Sequence, residues 1–190
     1  MTIKTPIRAI IFDFDGTLAD TRRPIMQCFW EVLNELDLPL PTSLSANEFF
    51  CQTLEDSLRS IDGMSEEQIS DASAQYNNRY LEIAVQTAKL FPQVVTTLQL
   101  LRRSGLLIGI ATNESRRNLK KLTEELEINA LIHQCVCRDE VQRTKPFPDM
   151  ARQILGAFGV APMDALVVGD SVLDIEMGKA AERSKAINRS

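Results

Sequence analysis

Two aspartates separated by one residue, Asp13 and Asp15, stand where a buried strand is predicted to end. The run from Ile7 to Asp13 is almost continuously apolar, which is typical of a strand buried on both faces of a parallel sheet. Ligands of open α/β sheets bind beyond the carboxyl ends of the strands. One carboxylate there can attack phosphorus to form an aspartyl-phosphate. The other can protonate the leaving oxygen and then accept a proton from water.

Gly16 follows this pair and lets the chain turn sharply beside a phosphate group. The backbone N–H groups of such a turn can bind phosphate oxygens. The alternative is a strand that simply ends in an acidic turn. The complete string from Asp13 to Leu18, with Asp20 close behind, favours the chemical interpretation.

Two further polar sites follow along the chain. Thr112 ends the apolar run that begins at Leu106, and its hydroxyl can donate to a phosphoryl oxygen beside the N-terminus of the next helix. Lys145 lies on a loop stiffened by Pro146 and Pro148. A fixed cation at this place can stabilise the charge of a transferring phosphoryl group.

Asp170 and Asp174 are four residues apart at a predicted strand-to-helix turn, after the apolar run Ala165 to Val168. This spacing can present both carboxylates to one site. Oxygen ligands are what Mg²⁺ prefers. The structural alternative, an N-cap and an acid in the first helical turn, is compatible with such a site because the same residues can serve both purposes.

These motifs, in this order, resemble the haloacid dehalogenase superfamily in its phosphatase branch, and the resemblance covers nearly the whole chain. It implies that Asp13 is the nucleophile and that Asp15 is the general acid and base. It implies a Mg²⁺ ion bound by carboxylate oxygens of Asp13 and Asp170 and by the backbone carbonyl of Asp15.

The same resemblance implies phosphate binding by Gly16, Thr112, Asn113 and Lys145. It implies that Asp174 holds a metal-bound water or orients Lys145. The metal would let an anionic nucleophile approach an anionic substrate.

Apolar runs alternate with helical patterns over most of the chain, which predicts a doubly wound, mostly parallel α/β sheet with right-handed crossovers. Strands are predicted at Ile7–Asp13, Leu106–Thr112, Gln134–Cys137 and Ala165–Gly169, and helices at Pro92–Arg103, Glu114–Ile128 and Pro148–Phe158.

Residues 20–89 break this alternation, because they contain helical periods and no predicted strand. One of the helices begins with Ser65 and Gln68, a capping-box pattern, and another has an apolar stripe that includes Phe49 and Phe50. We therefore expect an α/β core at 1–19 and 90–190 and an inserted helical subdomain at 20–89. The insert resembles the small caps of the family's phosphatases, which close over the site and choose the substrate.

The insert offers Arg59, Arg79 and Tyr80 as substrate contacts, although packing and surface roles are equally open. Substrates of similar sequences include phosphoglycolate, sugar phosphates, nucleoside monophosphates and pyrophosphate. The resemblance favours an enzyme like phosphoglycolate phosphatase.

Relatives usually continue after the fourth motif into another strand, whereas Glu182 and the residues after it depart from that pattern. The last edge strand is therefore expected to be missing, which leaves the strand before Asp170 at the edge of the sheet. Bare edges pair with other chains. We expect lower stability or self-association, such as a homodimer.

The composition of the chain indicates which classes of binding partner to expect. The formal net charge is −5, and the basic pairs are short, so nucleic acids and membrane surfaces are not expected to bind. No stretch resembles a signal peptide or a membrane span. The four cysteines are predicted to be structural thiols in a reducing cytoplasm. The expected partner is a small phosphate ester.

Several rival functions stay open. A phosphomutase would use the same residues and return the phosphoryl group to a sugar. A dehalogenase or phosphonate hydrolase is disfavoured, because those branches generally lack the acid that Asp15 supplies. The rival from another class is a binding or regulatory module that lacks catalysis because its C-terminus is shortened.

Overall fold

A computed structural model describes residues 6–41 and 54–183 of the chain. In chain order, the strands and helices are β1 (Ala9–Phe12), β2 (Ala19–Asp20), α1 (Arg22–Glu35), α2 (Leu54–Arg59), α3 (Glu66–Thr87), β3 (Lys89–Leu90), α4 (Val94–Arg103), β4 (Leu107–Thr112), α5 (Arg116–Glu125), β5 (Gln134–Cys137), α6 (Asp149–Phe158), β6 (Ala165–Val168) and α7 (Val172–Arg183). The chain divides into two compact units, Met1–Asp20 with Lys89–Ser190, and Thr21–Ala88.

The first unit is built on a four-stranded sheet in the order β5-β4-β1-β6, in which every neighbouring pair is parallel. Ile10 of β1 pairs with Ile108 on one side and Leu166 on the other. The predicted α/β fold is confirmed, and β6 is the outermost of the described strands on its side of the sheet. Among the described residues, no strand pairs with its outer side.

One face of the sheet is covered by α6 and α7. The core there joins Ala9 and Ile11 of β1 to side chains of both helices, which include Met150, Ile154 and Met177. Gly109 of β4 allows the close approach of α6, because a Cβ at that position would lie 2.7 Å from Cγ2 of Ile154. The packing places the ends of β1, β4 and β6 beside one another.

The sequence analysis missed two short strands, which lie at the two ends of the segment 20–89. Ala19–Asp20 pairs antiparallel with Lys89–Leu90, so the expectation of no strand within 20–89 was wrong at both ends of that segment. A ladder of two residues has no hydrophobic period that the sequence could reveal.

The helices of the core are shorter than predicted at two places. Helix α4 begins at Val94, since Gln93 before it adopts a left-handed φ of 68°. Helix α5 begins after Ser115, whose hydroxyl accepts a hydrogen bond from the N–H of Asn118. It ends at Glu125, because Glu127 has a φ of 56° that a continuing helix does not allow.

The second unit is helical, and α3 packs on α1 and α2. The predicted capping box is confirmed, since Ser65 accepts from the N–H of Gln68 and Gln68 accepts from the N–H of Ser65. Phe49 and Phe50 lie outside the described residues. The function of this unit as a cap stays a prediction.

The three candidate contacts of this unit are engaged within it. Arg59 pairs with Asp56 and Glu66. Arg79 pairs with Glu35 at 2.6 Å. Tyr80 is buried, and its ring stacks on that of Tyr76 at 5.6 Å between the centroids. These contacts favour the packing interpretation that the sequence left open.

Candidate active site

A buried lysine links two carboxylates at the carboxyl ends of the strands. The Nζ of Lys145 lies 2.5 Å from Oδ1 of Asp13 and 2.6 Å from Oδ1 of Asp174. The backbone N–H of Asp13 donates to the carbonyl of Val168 at 2.8 Å, which joins the end of β1 to the end of β6. Residues far apart in the sequence thus meet at one point.

These three side chains are almost completely buried, and their burial shifts the pKa values of Asp13 and Lys145. The exposed fractions of the side chains are 10% for Asp13, 4% for Lys145 and 1% for Asp174. Burial raises the pKa of Asp13 to about 7, the carboxylates of Asp174 and Asp15 add to this increase, and Lys145 opposes it. Burial also lowers the pKa of Lys145, but Asp13 and Asp174 outweigh this effect and the net pKa is raised. The lysine therefore stays cationic.

Asp170 completes an acidic triad with Asp13 and Asp174, in which one carboxylate oxygen of each residue lies within 4.8 Å of the other two. Asp170 is exposed, and its carboxylate lies against Gly16, where an added Cβ would be 2.2 Å from Oδ2. Gly16 also has a φ of 79°. Both the backbone and the neighbouring carboxylate therefore require glycine at position 16.

Asp174 lies in the first turn of α7 and is held from two sides. Its Oδ2 accepts hydrogen bonds from the hydroxyl of Ser171 at 2.6 Å and from the N–H of Ser171 at 3.2 Å. Gly169 packs on the same carboxylate, since an added Cβ would lie 2.2 Å from Cγ of Asp174. Ser171 was quoted in the sequence motif, but no role was assigned to it there.

The end of β4 contributes Thr112, which is fully buried. Its Oγ1 accepts from the N–H of Glu114 at 3.0 Å and donates toward Oδ2 of Asp15 at 3.4 Å. The accepted bond turns the hydroxyl proton toward Asp15. Thr112 can therefore act as a donor at the site.

Asn113 connects the ends of β4 and of the lysine loop, because its Oδ1 accepts from the backbone N–H of Lys145 at 3.3 Å. With the carbonyl oxygen used in this way, the amide group keeps its N–H donors for a ligand.

Glu114 is a residue that the sequence analysis missed. Its carboxylate accepts from the N–H of Ser115 at 2.7 Å and from the side-chain amide of Asn118 at 3.0 Å. Burial raises the pKa of Glu114, although these hydrogen bonds oppose the increase. Glu114 therefore stabilises the turn between Thr112 and α5 through these hydrogen bonds. Only its position directly after Thr112 and Asn113 could have drawn attention to it.

Two backbone N–H groups of the turn after Asp13 are hydrogen-bonded to carbonyl groups of the same turn. The N–H of Gly16 donates to the carbonyl of Ala19 at 2.8 Å, and that of Leu18 donates to the carbonyl of Phe14 at 3.0 Å. Gly16 thus serves the turn and the contact with Asp170, and its N–H is engaged by the carbonyl of Ala19.

The acidic triad fits a divalent cation. Its donor atoms are all carboxylate oxygens, which Mg²⁺ prefers. Three carboxylates against the ammonium of Lys145 leave a negative charge that a cation would offset.

Arg116 binds the carboxylates of a second group of potential metal ligands, which consists of Cys137, Asp139 and Glu140. The guanidinium of Arg116 donates to Glu140 at 2.5 Å, and the backbone N–H of Arg116 donates to Asp139 at 3.0 Å. Burial raises the pKa of the Cys137 thiol. A protonated thiol and a resident cation make this group a junction between β5 and α5 and not a metal site.

Within residues 6–41 and 54–183, no helix is long and apolar enough to cross a membrane.

Comparison with known proteins identifies the family. The model of the haloacid dehalogenase-like hydrolases matches residues 10–186, and the chain belongs to this family. The phosphoglycolate phosphatase of Shigella boydii is 29% identical over 197 residues, which cover 92% of this chain and 78% of the relative. The same identity and coverage hold for the phosphoglycolate phosphatase of Escherichia coli K12.

Solved structures agree with this assignment. A haloacid dehalogenase-like hydrolase from Streptococcus pneumoniae superposes with a TM-score of 0.79 at 28% identity, and covers 95% of this chain and 81% of its own. A predicted phosphoglycolate phosphatase from Lactobacillus plantarum reaches 0.82 at 25% identity, with coverage of 93% and 84%. The chain is an enzyme, a phosphatase that acts on a small phosphate ester.

Proposed function

We propose that the chain hydrolyses a small phosphomonoester with Mg²⁺ and forms an aspartyl-phosphate on Asp13. The observation that carries this proposal is the buried ammonium of Lys145 between Asp13 and Asp174, at 2.5 and 2.6 Å. A fixed cation beside a buried carboxylate suits a nucleophile that must approach a dianion.

The first step begins with the carboxylate of Asp13, which attacks phosphorus. The bond between phosphorus and the ester oxygen breaks as Asp15 gives its proton to that oxygen, so the alcohol leaves neutral. In the second step, Asp15 takes a proton from water as the water oxygen attacks the phosphorus of the aspartyl-phosphate. The bond from phosphorus to Asp13 breaks, inorganic phosphate leaves, and both aspartates return to their starting states.

The groups around the phosphoryl site supply charge and donors. Lys145 stabilises the negative charge of the transferring group. Thr112 and the side-chain amide of Asn113 donate to phosphoryl oxygens, since each has its acceptor atom occupied by a neighbouring N–H. Gly16 contributes by its turn and by its contact with Asp170.

Asp13 and Asp170 would hold Mg²⁺ through carboxylate oxygens and Asp15 through its backbone carbonyl. Asp174 would orient Lys145, in keeping with the distance of 2.6 Å between them. When bound, the ion would offset the repulsion between the nucleophile and the anionic ester.

The substrate that we propose is phosphoglycolate or a similarly small anionic ester, because curated relatives over 92% of the chain are phosphoglycolate phosphatases. We propose that the helical unit Thr21–Ala88 is the cap that selects it. Its arginines are engaged in ion pairs within the unit, so selection would depend on other side chains.

Two further expectations are retained as proposals. The cysteines among the described residues, Cys28, Cys135 and Cys137, are free thiols, which suits an enzyme of the reducing cytoplasm. The second is a homodimer, because among the described strands none pairs with the outer edge of β6.

The decisive test measures phosphate release from a panel of small phosphomonoesters, with Mg²⁺ and with chelator, for the native chain and for Asp13→Asn. Asp71→Asn, an exposed aspartate of α3, is the matched control. We expect turnover that requires Mg²⁺, is lost in Asp13→Asn and is retained in Asp71→Asn. Phosphoglycolate should be among the best substrates.

Other outcomes separate the rivals. Transfer of the phosphoryl group to another hydroxyl of a sugar, without phosphate release, would identify a phosphomutase. No turnover of any ester by the folded native chain would favour the binding module. Activity that survives Asp13→Asn would refute the proposed nucleophile.

A further inference from the structure

The backbone and the side chain of Glu114 are both hydrogen-bonded in the turn that follows β4. Its backbone N–H donates to Oγ1 of Thr112 at 3.0 Å, and its backbone carbonyl accepts from the N–H of Arg138 at 3.1 Å. Its carboxylate accepts from the backbone N–H of Ser115 at 2.7 Å and from the side-chain amide of Asn118 at 3.0 Å. These hydrogen bonds fix the orientation of Glu114 between the end of β4, the end of β5 and the start of α5.

The first turn of α5 has capping groups other than Glu114. The hydroxyl of Ser115 accepts from the N–H of Asn118 at 3.3 Å, and the carboxylate of Asp139 accepts from the backbone N–H of Arg116 at 3.0 Å. Both donors are N–H groups that a helix leaves without an intrahelical partner. The carboxylate of Glu114 is therefore not the N-cap of α5, and its hydrogen bonds hold Glu114 itself against the helix.

The direction of the Thr112 hydroxyl depends on this arrangement. Thr112 is fully buried, and the proton of a hydroxyl rotates to suit the neighbouring groups. Since Oγ1 accepts the N–H of Glu114, the proton points elsewhere, toward Oδ2 of Asp15 at 3.4 Å. That distance is longer than usual for a hydrogen bond between two oxygens, so the proton can be given to a closer acceptor.

The useful property of the Glu114 side chain is its hydrogen bonding and not its charge. Both of its hydrogen bonds end on one oxygen, Oε1, and the carbonyl oxygen of a glutamine would reproduce this acceptor. Burial raises the pKa of this half-buried carboxyl group, so its surroundings disfavour the negative charge. A negative charge near Thr112 would also repel a phosphate dianion.

We propose that Glu114 is a positioning residue that acts through Thr112. Its side-chain hydrogen bonds keep its backbone N–H on Oγ1 of Thr112, and this contact directs the hydroxyl proton of Thr112 to a phosphoryl oxygen. The inference rests on the proposed function, in which Thr112 binds the phosphoryl group. A donor held in this way matters because small errors in the position of groups around the reacting atoms reduce the rate strongly.

The test titrates inorganic phosphate into the Mg²⁺-loaded chain by isothermal titration calorimetry, which does not require turnover. Glu114→Ala should weaken phosphate binding by on the order of tenfold, whereas Glu114→Gln should stay within about threefold of the native chain. The affinity for Mg²⁺ should be unchanged in both variants, because the hydrogen bonds of Glu114 go to residues outside the acidic triad. Glu125→Ala is the matched control, since Glu125 is an exposed carboxylate of the same helix that pairs with Lys121.

A double-mutant cycle tests the link between Glu114 and Thr112. Thr112→Val has no hydroxyl to direct, so a further Glu114→Ala should weaken phosphate binding by less than about threefold. Additive effects of the two substitutions would overturn the proposal, as would a native phosphate affinity in Glu114→Ala. Equal losses in Glu114→Ala and Glu114→Gln would overturn the argument that hydrogen bonding is the useful property.

Circular dichroism establishes that each variant is folded. If Glu114→Ala does not fold, Asn118→Ala removes one of the two donors to the same carboxylate and should weaken phosphate binding by about threefold. A native phosphate affinity in Asn118→Ala would then overturn the proposal. A parallel loss of Mg²⁺ and phosphate affinity in either variant would show a general structural role and would also overturn it.

Steady-state kinetics separates this inference from the proposed function. Glu114→Ala should lower kcat/KM by about tenfold or more, and Glu114→Gln should retain most of it. A native chain that binds phosphate but releases none from any ester would contradict the proposed hydrolysis, while the titrations would still decide the role of Glu114. A folded native chain that does not bind phosphate would overturn the role assigned to Glu114.

Discussion

Gly16 and Asp170 are in direct contact, so close that a Cβ on Gly16 would lie 2.2 Å from Oδ2 of Asp170. The two residues are 154 positions apart (170 − 16) and belong to the first and the last motif. The absence of a side chain at one position therefore determines where a carboxylate lies at the other. This relation leads to the first prediction.

Gly16→Ala should weaken Mg²⁺ binding, because the new methyl group displaces Asp170. Gly105→Ala is the matched control, since Gly105 has nearly the same φ, 78° against 79°, with nothing within 4 Å of an added Cβ. Both variants should lose about 1 kcal/mol or more of unfolding free energy from backbone strain. Only Gly16→Ala should raise the dissociation constant of Mg²⁺, by about tenfold or more, as measured by isothermal titration calorimetry. Equal Mg²⁺ affinity in the two variants would contradict the argument.

Asp174→Asn should lower kcat by on the order of tenfold to 100-fold, because Lys145 loses one of its two ionic partners. It should also lower the pKa of Lys145, which the carboxylates now raise, so the alkaline limb of the pH–rate profile should move to lower pH. The measurement is kcat across the pH range. Ser171→Ala removes only the hydroxyl that donates to Asp174 and should have a smaller effect. An unchanged alkaline limb in Asp174→Asn would speak against the orienting role.

Mg²⁺ binding should release a proton from Asp13. The pKa of Asp13 is raised to about 7, so below that pH the carboxyl is mostly protonated and must lose its proton before it binds a cation. The apparent affinity should therefore fall as pH decreases through 7, by at most about tenfold per pH unit. Calorimetry in buffers of different ionisation enthalpy measures the proton count. We expect the native chain to release a proton on Mg²⁺ binding at pH 6 and almost none at pH 8.5. The variant Asp13→Asn has no carboxyl group at position 13 and should not show this pH-dependent release. Release that does not depend on pH would argue against Asp13 as the source.

Thr112→Val should reduce kcat/KM by on the order of 100-fold, because it removes the hydroxyl that donates at the site. It should also cost roughly 1–3 kcal/mol of unfolding free energy, since the N–H of Glu114 loses its acceptor. Thr112→Ser keeps the hydroxyl and should retain most of the activity. Steady-state kinetics and chemical denaturation separate the two effects. If Thr112→Val lost stability but kept its activity, Thr112 would be structural alone.

Much of the fold could be predicted from the sequence, because apolar runs and helical periods are local signals. The strand Gln134–Cys137 and the capping box at Ser65 were predicted as the structure has them. The two-residue ladder of Ala19–Asp20 and Lys89–Leu90 could not be predicted. Its partners are distant in the chain, and neither strand is long enough to show a period.

The candidate residues were also visible in the sequence, since Asp13, Thr112 and Asp170 each stand at or directly after the end of an apolar run. Their types and order determined the class of chemistry. The tertiary structure alone decided that Lys145 lies between Asp13 and Asp174, that the half-buried Glu114 accepts hydrogen bonds from Ser115 and Asn118, and that Leu166 and Val168 are exposed. Local patterns specify where each strand ends, whereas distances between residues more than a hundred positions apart depend on strand order and register, which result from packing over the whole core.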